Sequence, residues 1–520
     1  MHWNFRPLVF LLPITSDGVQ FTQVPLADST TDDWDLNAVP NPNATGRFVF
    51  DTVASLLQHW SNTRYHSGHN IIPGTIPTGT LLYHGRQDSD VPTTREWASF
   101  DSEFARIFCA EPVDCWFLTL VTTRPLRVLY FDGSSATKNG DGPIDTQDLL
   151  TWGAVLPERA KSVPWDYERL HRLCDLGDSI GIDAYIRMQA NFEVMLCNFT
   201  DGLQTVTLSR LEDEERFPHH AYNFLHASAW YDHYPGETRI QLDLTQLVSL
   251  YDVEVAPSLV SVRYGQERRA HRVLGIDERD VNAVLQRVRA IPSATPSQSG
   301  IDWSMLFKVI RDRYATRLEV LQNILATDKA AAPRAFVIVK MALSPYRLYS
   351  AVPPPTGSDT AWAAPVFRLC AQSHTSFIES IQSKLTTSEY LLLTSAQETT
   401  REICRILVGM WAEGVINLRD SPTLSESLTA KWKSWVDGLM SWLDWSLWTK
   451  CRPACEIEVC ALPSNIIYYN FNDYRRSRVT FPVHRSPWRS GMRQSPAVFA
   501  CLSRTLVSRS VGGFFGICWC

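Results

Sequence analysis

Leu81-Leu82-Tyr83-His84-Gly85-Arg86 is an apolar strand that ends on an imidazole and a glycine. The glycine leaves open backbone beside the ring, where a flat group can approach closely. Trp97-Ala98-Ser99-Phe100-Asp101 follows as a short strand leading into a helix over 102–109, with Phe104, Ile107 and Phe108 on one side. Further on, Asn191-Phe192-Glu193-Val194-Met195-Leu196 sets a single carboxylate in an otherwise apolar strand. A charge in that position is costly unless it is paired, exposed at an edge or functional.

Working outward, residues 116–121, 126–131 and 238–244 also read as strands, and 191–199 and 205–208 as a strand pair. Helical spacing of apolar residues marks 48–60, through Val49, Val53, Leu56, Leu57 and Trp60, and 165–174. A helix from Val281 carries Val284, Leu285, Val288 and Ile291 on one face, with Asp280 as its expected N-cap. Pro292 to Gly300 (PSATPSQSG) has linker composition. Beyond it Leu306, Ile310, Tyr314, Leu318, Leu321 and Leu325 define an amphipathic helix, and helical patterns recur at 370–386, 396–413 and 425–448.

The expected fold class is therefore α+β. Residues 19–292 form a mixed α+β domain, 293–300 a linker and 301–450 a helical domain. Residues 451–463 form a cysteine-containing segment and 464–520 a basic, irregular tail. Residues 1–18 hold a short apolar run (PLVFLLPI, 7–14) that reads equally as a marginal signal peptide or as a buried strand.

Three of these strings resemble the His-containing branch of the ADP-ribosyltransferase superfamily, which includes the poly-ADP-ribose polymerases. That resemblance implies two facing sheets around NAD. His84 and Gly85 would bind the cofactor, Ser99 would take the second-strand position, and Glu193 would be the catalytic carboxylate that stabilises an oxocarbenium-like transition state. Ser99 replaces the stacking Tyr of the polymerases, and the 15 residues from His84 to Ser99 are fewer than they allow. The alternative is a His and a Glu held inside an unrelated α+β fold. A broader resemblance, from about residue 70 to 460, is to uncharacterised proteins of mushroom-forming fungi. It rests on Thr123 to Ala136, Tyr234 to Asp243, Ser299 to Trp303 and Trp442 to Trp445. It implies a secretory-pathway protein, secreted or lumenal, and an accessory role beside a fungal biosynthetic gene cluster is its non-catalytic form. A cytoplasmic location is the alternative.

Composition limits the other classes. The 520 residues carry a net charge of −6, and the pI near 6.1 argues against a nucleic-acid binder with a broad basic face. The average conceals an asymmetry: from Tyr474 onward there are eight Arg and no Lys, Asp or Glu. Taking +8 from −6 leaves −14 for the residues before it. No run of apolar residues is long enough for a transmembrane helix. The Trp-rich stretch Trp432, Trp435, Trp442, Trp445 and Trp448 reads either as a peripheral membrane contact or as core packing. Twelve cysteines show no zinc spacing, although Cys451, Cys455 and Cys460 suit a local disulfide loop. Asn43 and Asn198 open glycosylation sequons, a number that chance alone supplies at this length. His219, His220, His226 and His233 with Asp232 invite a metal reading, but their spacing better suits a solvated loop. Asp132-Gly133-Ser134-Ser135 reads as a strand-end turn or a phosphate-binding turn.

Overall fold

Alternation of apolar residues over both faces of the strands organises the chain around one large sheet. The computed structural model describes residues 34–448 except 39, 42–43, 60–61, 63, 110–113, 139, 161–162, 212–235, 356–358 and 419–424. It also describes the strands Ala500–Ser503 and Gly516–Trp519, which pair antiparallel. The main sheet is built from β1 (Asn70–Ile76), β2 (Leu81–Arg86), β3 (Glu96–Ser99), β4 (Trp116–Thr122), β5 (Leu126–Phe131), β6 (Ala184–Met188), β7 (Phe192–Leu196), β8 (Leu203–Arg210), β9 (Gln241–Leu242) and β10 (Val248–Ser249). Their order is β10-β1-β5-β6-β7-β3-β2-β4-β8, with β9 beside β1. Every pairing is antiparallel except β5 with β6, whose connection contains the helices α3 (Asp145–Trp152) and α4 (Val163–Ile180), as a parallel crossover requires.

One face of this sheet packs Leu82, Ala98, Val128, Ile186 and Val194 against helix α1 (Gly46–Ser55) and the helical half of the chain, through Phe50, Phe307, Ile310, Leu407 and Trp432. The other face packs Leu129, Tyr185 and Met195 against Leu149, Leu170, Leu173, Val284 and Val288. The first core is continuous from sheet to helices, so the two halves share it. Helix α1 comes close enough to helix Thr387–Asn417 that a Cβ on Gly46 would lie 2.2 Å from Glu398 Oε2. The linker is also tied down. Ser299 Oγ and Trp303 Nε1 donate to Glu389 Oε1, while Ser297 Oγ donates to Oε2, which also accepts Thr386 N in a capping box. Burial alone would raise the Glu389 carboxyl, but these donors hold it below its ordinary value.

The α+β class and the helical C-terminal half are as expected, and several details differ. The sheet is one mixed sheet rather than two facing ones. The strands near 191–199 and 205–208 do not pair, because β7 lies between β6 and β3 while β8 extends the edge beside β4. Of 238–244 only Gln241–Leu242 is strand. The helix Glu278–Ala290 is capped by Asp277, whose carboxylate accepts Asp280 N, and Asp280 lies inside it. Helix α1 stops at Ser55, and Leu57 takes a left-handed conformation (φ 61°) just past its end. The 370–386 pattern divides into helix Ala364–Gln372 and a 3-10 segment Ser376–Lys384.

The tryptophans of 432–448 face inward rather than toward a membrane surface. Trp432 and Trp445 are fully buried, with Trp445 stacked between Phe50 and Trp448. Trp435, Trp442 and Trp448 pack against the same core. Apolar residues on both the sheet and helix Trp303–Thr327 need covering, and these rings supply the cover. Among the described residues no helix is long and apolar enough to cross a membrane.

Candidate functional site

Strand register decides what His84, Ser99 and Glu193 can do together. Tyr83 pairs with Ser99, Ser99 with Glu193, and Glu193 with Arg187, so these four side chains occupy one face of the sheet. His84 follows Tyr83 and therefore projects from the opposite face. Its surroundings agree: Nδ1 donates to the Trp97 carbonyl at 2.6 Å, Nε2 lies 3.1 Å from Glu96 Oε2, and the ring meets Phe199 edge-on. Strand β3 brings Ser99 beside Glu193, but the sheet itself separates both from the His84 imidazole.

The open backbone expected at Gly85 is occupied. A short helix α2 (Ser102–Arg106) packs there, and a Cβ at Gly85 would lie 2.2 Å from the Ala105 carbonyl oxygen and 3.3 Å from Cys109 Sγ. Asp101 holds this helix in place by accepting Phe104 N at 2.6 Å. Ser99 is buried, donating to the Phe192 carbonyl and accepting Asp101 N.

Glu193 belongs to a buried chain of charges. Arg187 Nε donates to Glu193 Oε2 at 2.9 Å, while both terminal nitrogens of Arg187 donate to Asp166 at 2.9 Å. Arg169 bridges Asp166 at 3.0 Å and Asp148 at 2.7 Å, and Lys138 Nζ reaches Asp166 at 3.1 Å. Three carboxylates thus meet three cations, and the group is neutral as a whole. Burial by itself would raise Asp166, yet Arg187, Lys138 and Arg169 hold it well below the usual carboxylate range. For Arg187 the two carboxylates outweigh burial and raise it. For Asp148 burial outweighs Arg169, and its carboxyl is raised. Bidentate geometry of this kind rewards arginine over lysine.

Glu193 stands out in the sequence, and its partner Arg187, absent from the expectations above, carries a signal of the same kind. Ala184-Tyr185-Ile186-Arg187-Met188 is another apolar strand with one charge, and Gln189-Ala190-Asn191 is the turn that sets it opposite Glu193.

The remaining candidates are placed as follows. Asp132 accepts His69 N, Asn70 N and Asn70 Nδ2 at 2.6–2.7 Å, so its turn secures the start of β1 and presents a carboxylate where a phosphate would need cations. Burial pushes Asp132 up to about 6. Asn198 is exposed in a turn, with Oδ1 accepting from Thr200 and Asp201. Asn43, the histidines 219, 220, 226 and 233, and Cys451, Cys455 and Cys460 lie outside the described residues. Among the described residues no group of three His, Cys, Asp or Glu side chains is placed to hold a metal ion. Among the described residues three disulfides join Cys109 to Cys115, Cys174 to Cys197 and Cys370 to Cys404.

The family model of the YPL277C N-terminal domain matches residues 36–114 and 111–217, which is the sheet-forming part of the chain up to β8. The uncharacterized protein YOR389W of Saccharomyces cerevisiae is 23% identical over 80% of this chain and 81% of its own length. The uncharacterized protein YPL277C of the same yeast is 25% identical over 54% of this chain and 75% of its own length. The chain is thus similar to uncharacterised fungal proteins, those matched being from yeast. No solved structure matches the chain.

Proposed function

We propose that this chain is a non-catalytic protein of the fungal secretory pathway, lumenal or secreted, in which Glu193 holds the fold together. The pairing of Glu193 with Arg187, on the sheet face opposite His84, carries this reading. A carboxylate already committed to a buried guanidinium is poorly placed to stabilise charge on a bound sugar. The compartment is supported by the three disulfides, which persist in oxidising surroundings and are rare in a reducing cytosol. The exposed Asn198 sequon fits the same compartment.

The competing reading is an NAD-dependent transferase with His84 and Gly85 on the cofactor. Thermal unfolding of the intact chain with rising NAD separates the two. The transferase reading requires a saturable rise in Tm and NAD cleavage that Glu193→Gln abolishes; the structural reading expects neither. Compartment is tested by gel mobility before and after endoglycosidase treatment, with a shift expected that Asn198→Gln removes at that site. A role beside a biosynthetic pathway, and kinship with proteins of mushroom-forming fungi, would be tested by which genes adjoin this one.

A further inference from the structure

Buried arginines in this protein are paired as a rule. Arg169 and Arg187 have Asp148, Asp166 and Glu193, and Arg268 has Asp51 at 2.8 Å. Arg263 departs from it, and together with the half-buried Arg47 it lines a cavity of about 440 Å³. Arg263 is 7% exposed, and its guanidinium donates only to main-chain carbonyls, those of Leu250 and Arg272. Burial lowers it to about 10, with no carboxylate acting on it. Arg47 makes no hydrogen bond and no ion pair among the described residues, and its Nε is buried without a partner. Asp444 and Glu398 act on it only at longer range, and burial together with Arg268 lowers it.

The wall between these two cations is aromatic. Arg47 lies over Phe48 at 4.6 Å, Phe48 meets Tyr251 at 5.1 Å, and Arg263 lies over Tyr251 at 4.7 Å. His271 stands edge-on to Phe48 at 5.1 Å, within 3.2 Å of the Tyr251 hydroxyl. Glu267 is the one acidic residue of the lining, and it is exposed. A buried charge with no carboxylate, as at Arg263, is destabilising, and ring faces relieve only part of that cost. A cavity of this volume falls within the small-molecule range of about 300–1,000 Å³.

We propose that this cavity binds a small organic oxyanion, a carboxylate or phosphate carried on a flat apolar body, with Arg47 and Arg263 supplying the positive charge of the lining and the flat part lying along the aromatic wall of Phe48 and Tyr251. The site uses none of the residues discussed above for NAD, so it stands whether or not the chain is catalytic. Guanidinium groups match both oxyanions in geometry, and the aromatic wall asks for more than a bare ion.

The test is thermal unfolding of the intact chain with phenyl phosphate, benzoate, inorganic phosphate and neutral benzyl alcohol, all at matched ionic strength. A saturable Tm rise is expected with phenyl phosphate or benzoate, and which of the two is stronger assigns the headgroup. Arg47→Gln, which removes no hydrogen bond, should weaken that affinity about tenfold or more. Val260→Phe, at the partly exposed rim, should crowd the cavity and weaken the rise while the chain remains folded. The proposal is overturned if neither aromatic anion exceeds both benzyl alcohol and inorganic phosphate, or if both variants keep the wild-type response.

Discussion

The Nε–H of Arg187 donates to Glu193 Oε2 at 2.9 Å, directly across the β6–β7 ladder and largely shielded from water. Removing one member of a buried pair leaves the other uncompensated. Arg187→Met, which strands both Asp166 and Glu193, should therefore lower stability by about 3–5 kcal/mol in urea unfolding. Glu193→Gln keeps an acceptor for Arg187 and should cost less, about 1–3 kcal/mol. An Arg187→Met protein as stable as wild type would show that the network contributes nothing to the fold.

Gly85 faces a backbone carbonyl that has little freedom to retreat, because Asp101 and the Cys109–Cys115 disulfide anchor helix α2 on either side. Gly85→Ala should destabilise by about 1–3 kcal/mol through overpacking. Were the site open for a flat ligand, alanine would be tolerated, and the urea midpoint would stay unchanged.

Acid should weaken the protein well above the carboxylate range. Burial lowers His59 to about 4 and His271 to about 4, against 6.5 in the unfolded chain. Between those values the unfolded chain binds protons that the folded protein refuses, so these histidines' contribution to stability falls as pH drops from 6.5 to 4 and then levels. Each histidine accounts for about 3 kcal/mol over the window. Asp132, raised to about 6, works in the opposite direction between 6 and 4 and offsets about one of the two. Urea midpoints at pH 7, 5.5 and 4.5 should decline, and His59→Gln should flatten the decline. A midpoint that rises on acidification would refute the assignment of neutral buried imidazoles.

Cys174 ties helix α4 to the end of β7 across 23 residues, beside the charge network. Replacing both cysteines with serine should cost about 3 kcal/mol by the chain-entropy argument. Peptide mapping without reduction should recover Cys174–Cys197, Cys109–Cys115 and Cys370–Cys404 as linked pairs. Recovery of all six as free thiols from the native source would remove the support for an oxidising compartment.

What the sequence made legible was local. Helix Trp303–Thr327 follows from an apolar stripe through Leu306, Ile310, Tyr314, Leu318, Leu321 and Leu325, all of them buried as the spacing requires. Strands β2, β4, β5 and β7 follow from short apolar runs. Strand order was not legible, because β3 reaches β7 across nearly a hundred residues and periodicity says nothing about such pairings. The face on which Glu193 projects depends on that order, and so does its separation from His84. Arg47 and Arg263, 216 positions apart, illustrate the same limit: each is an ordinary helix arginine until the fold sets both around one cavity.

Glu389 gathers Ser297, Ser299 and Trp303 onto helix Thr387–Asn417, and so the stretch that has linker composition is bolted at its far end. With helix α1 wedged between the sheet and that same helix, a protease that cut within residues 292–296 would sever the chain and leave the particle whole. The two pieces would travel together on a sizing column and separate only in denaturant.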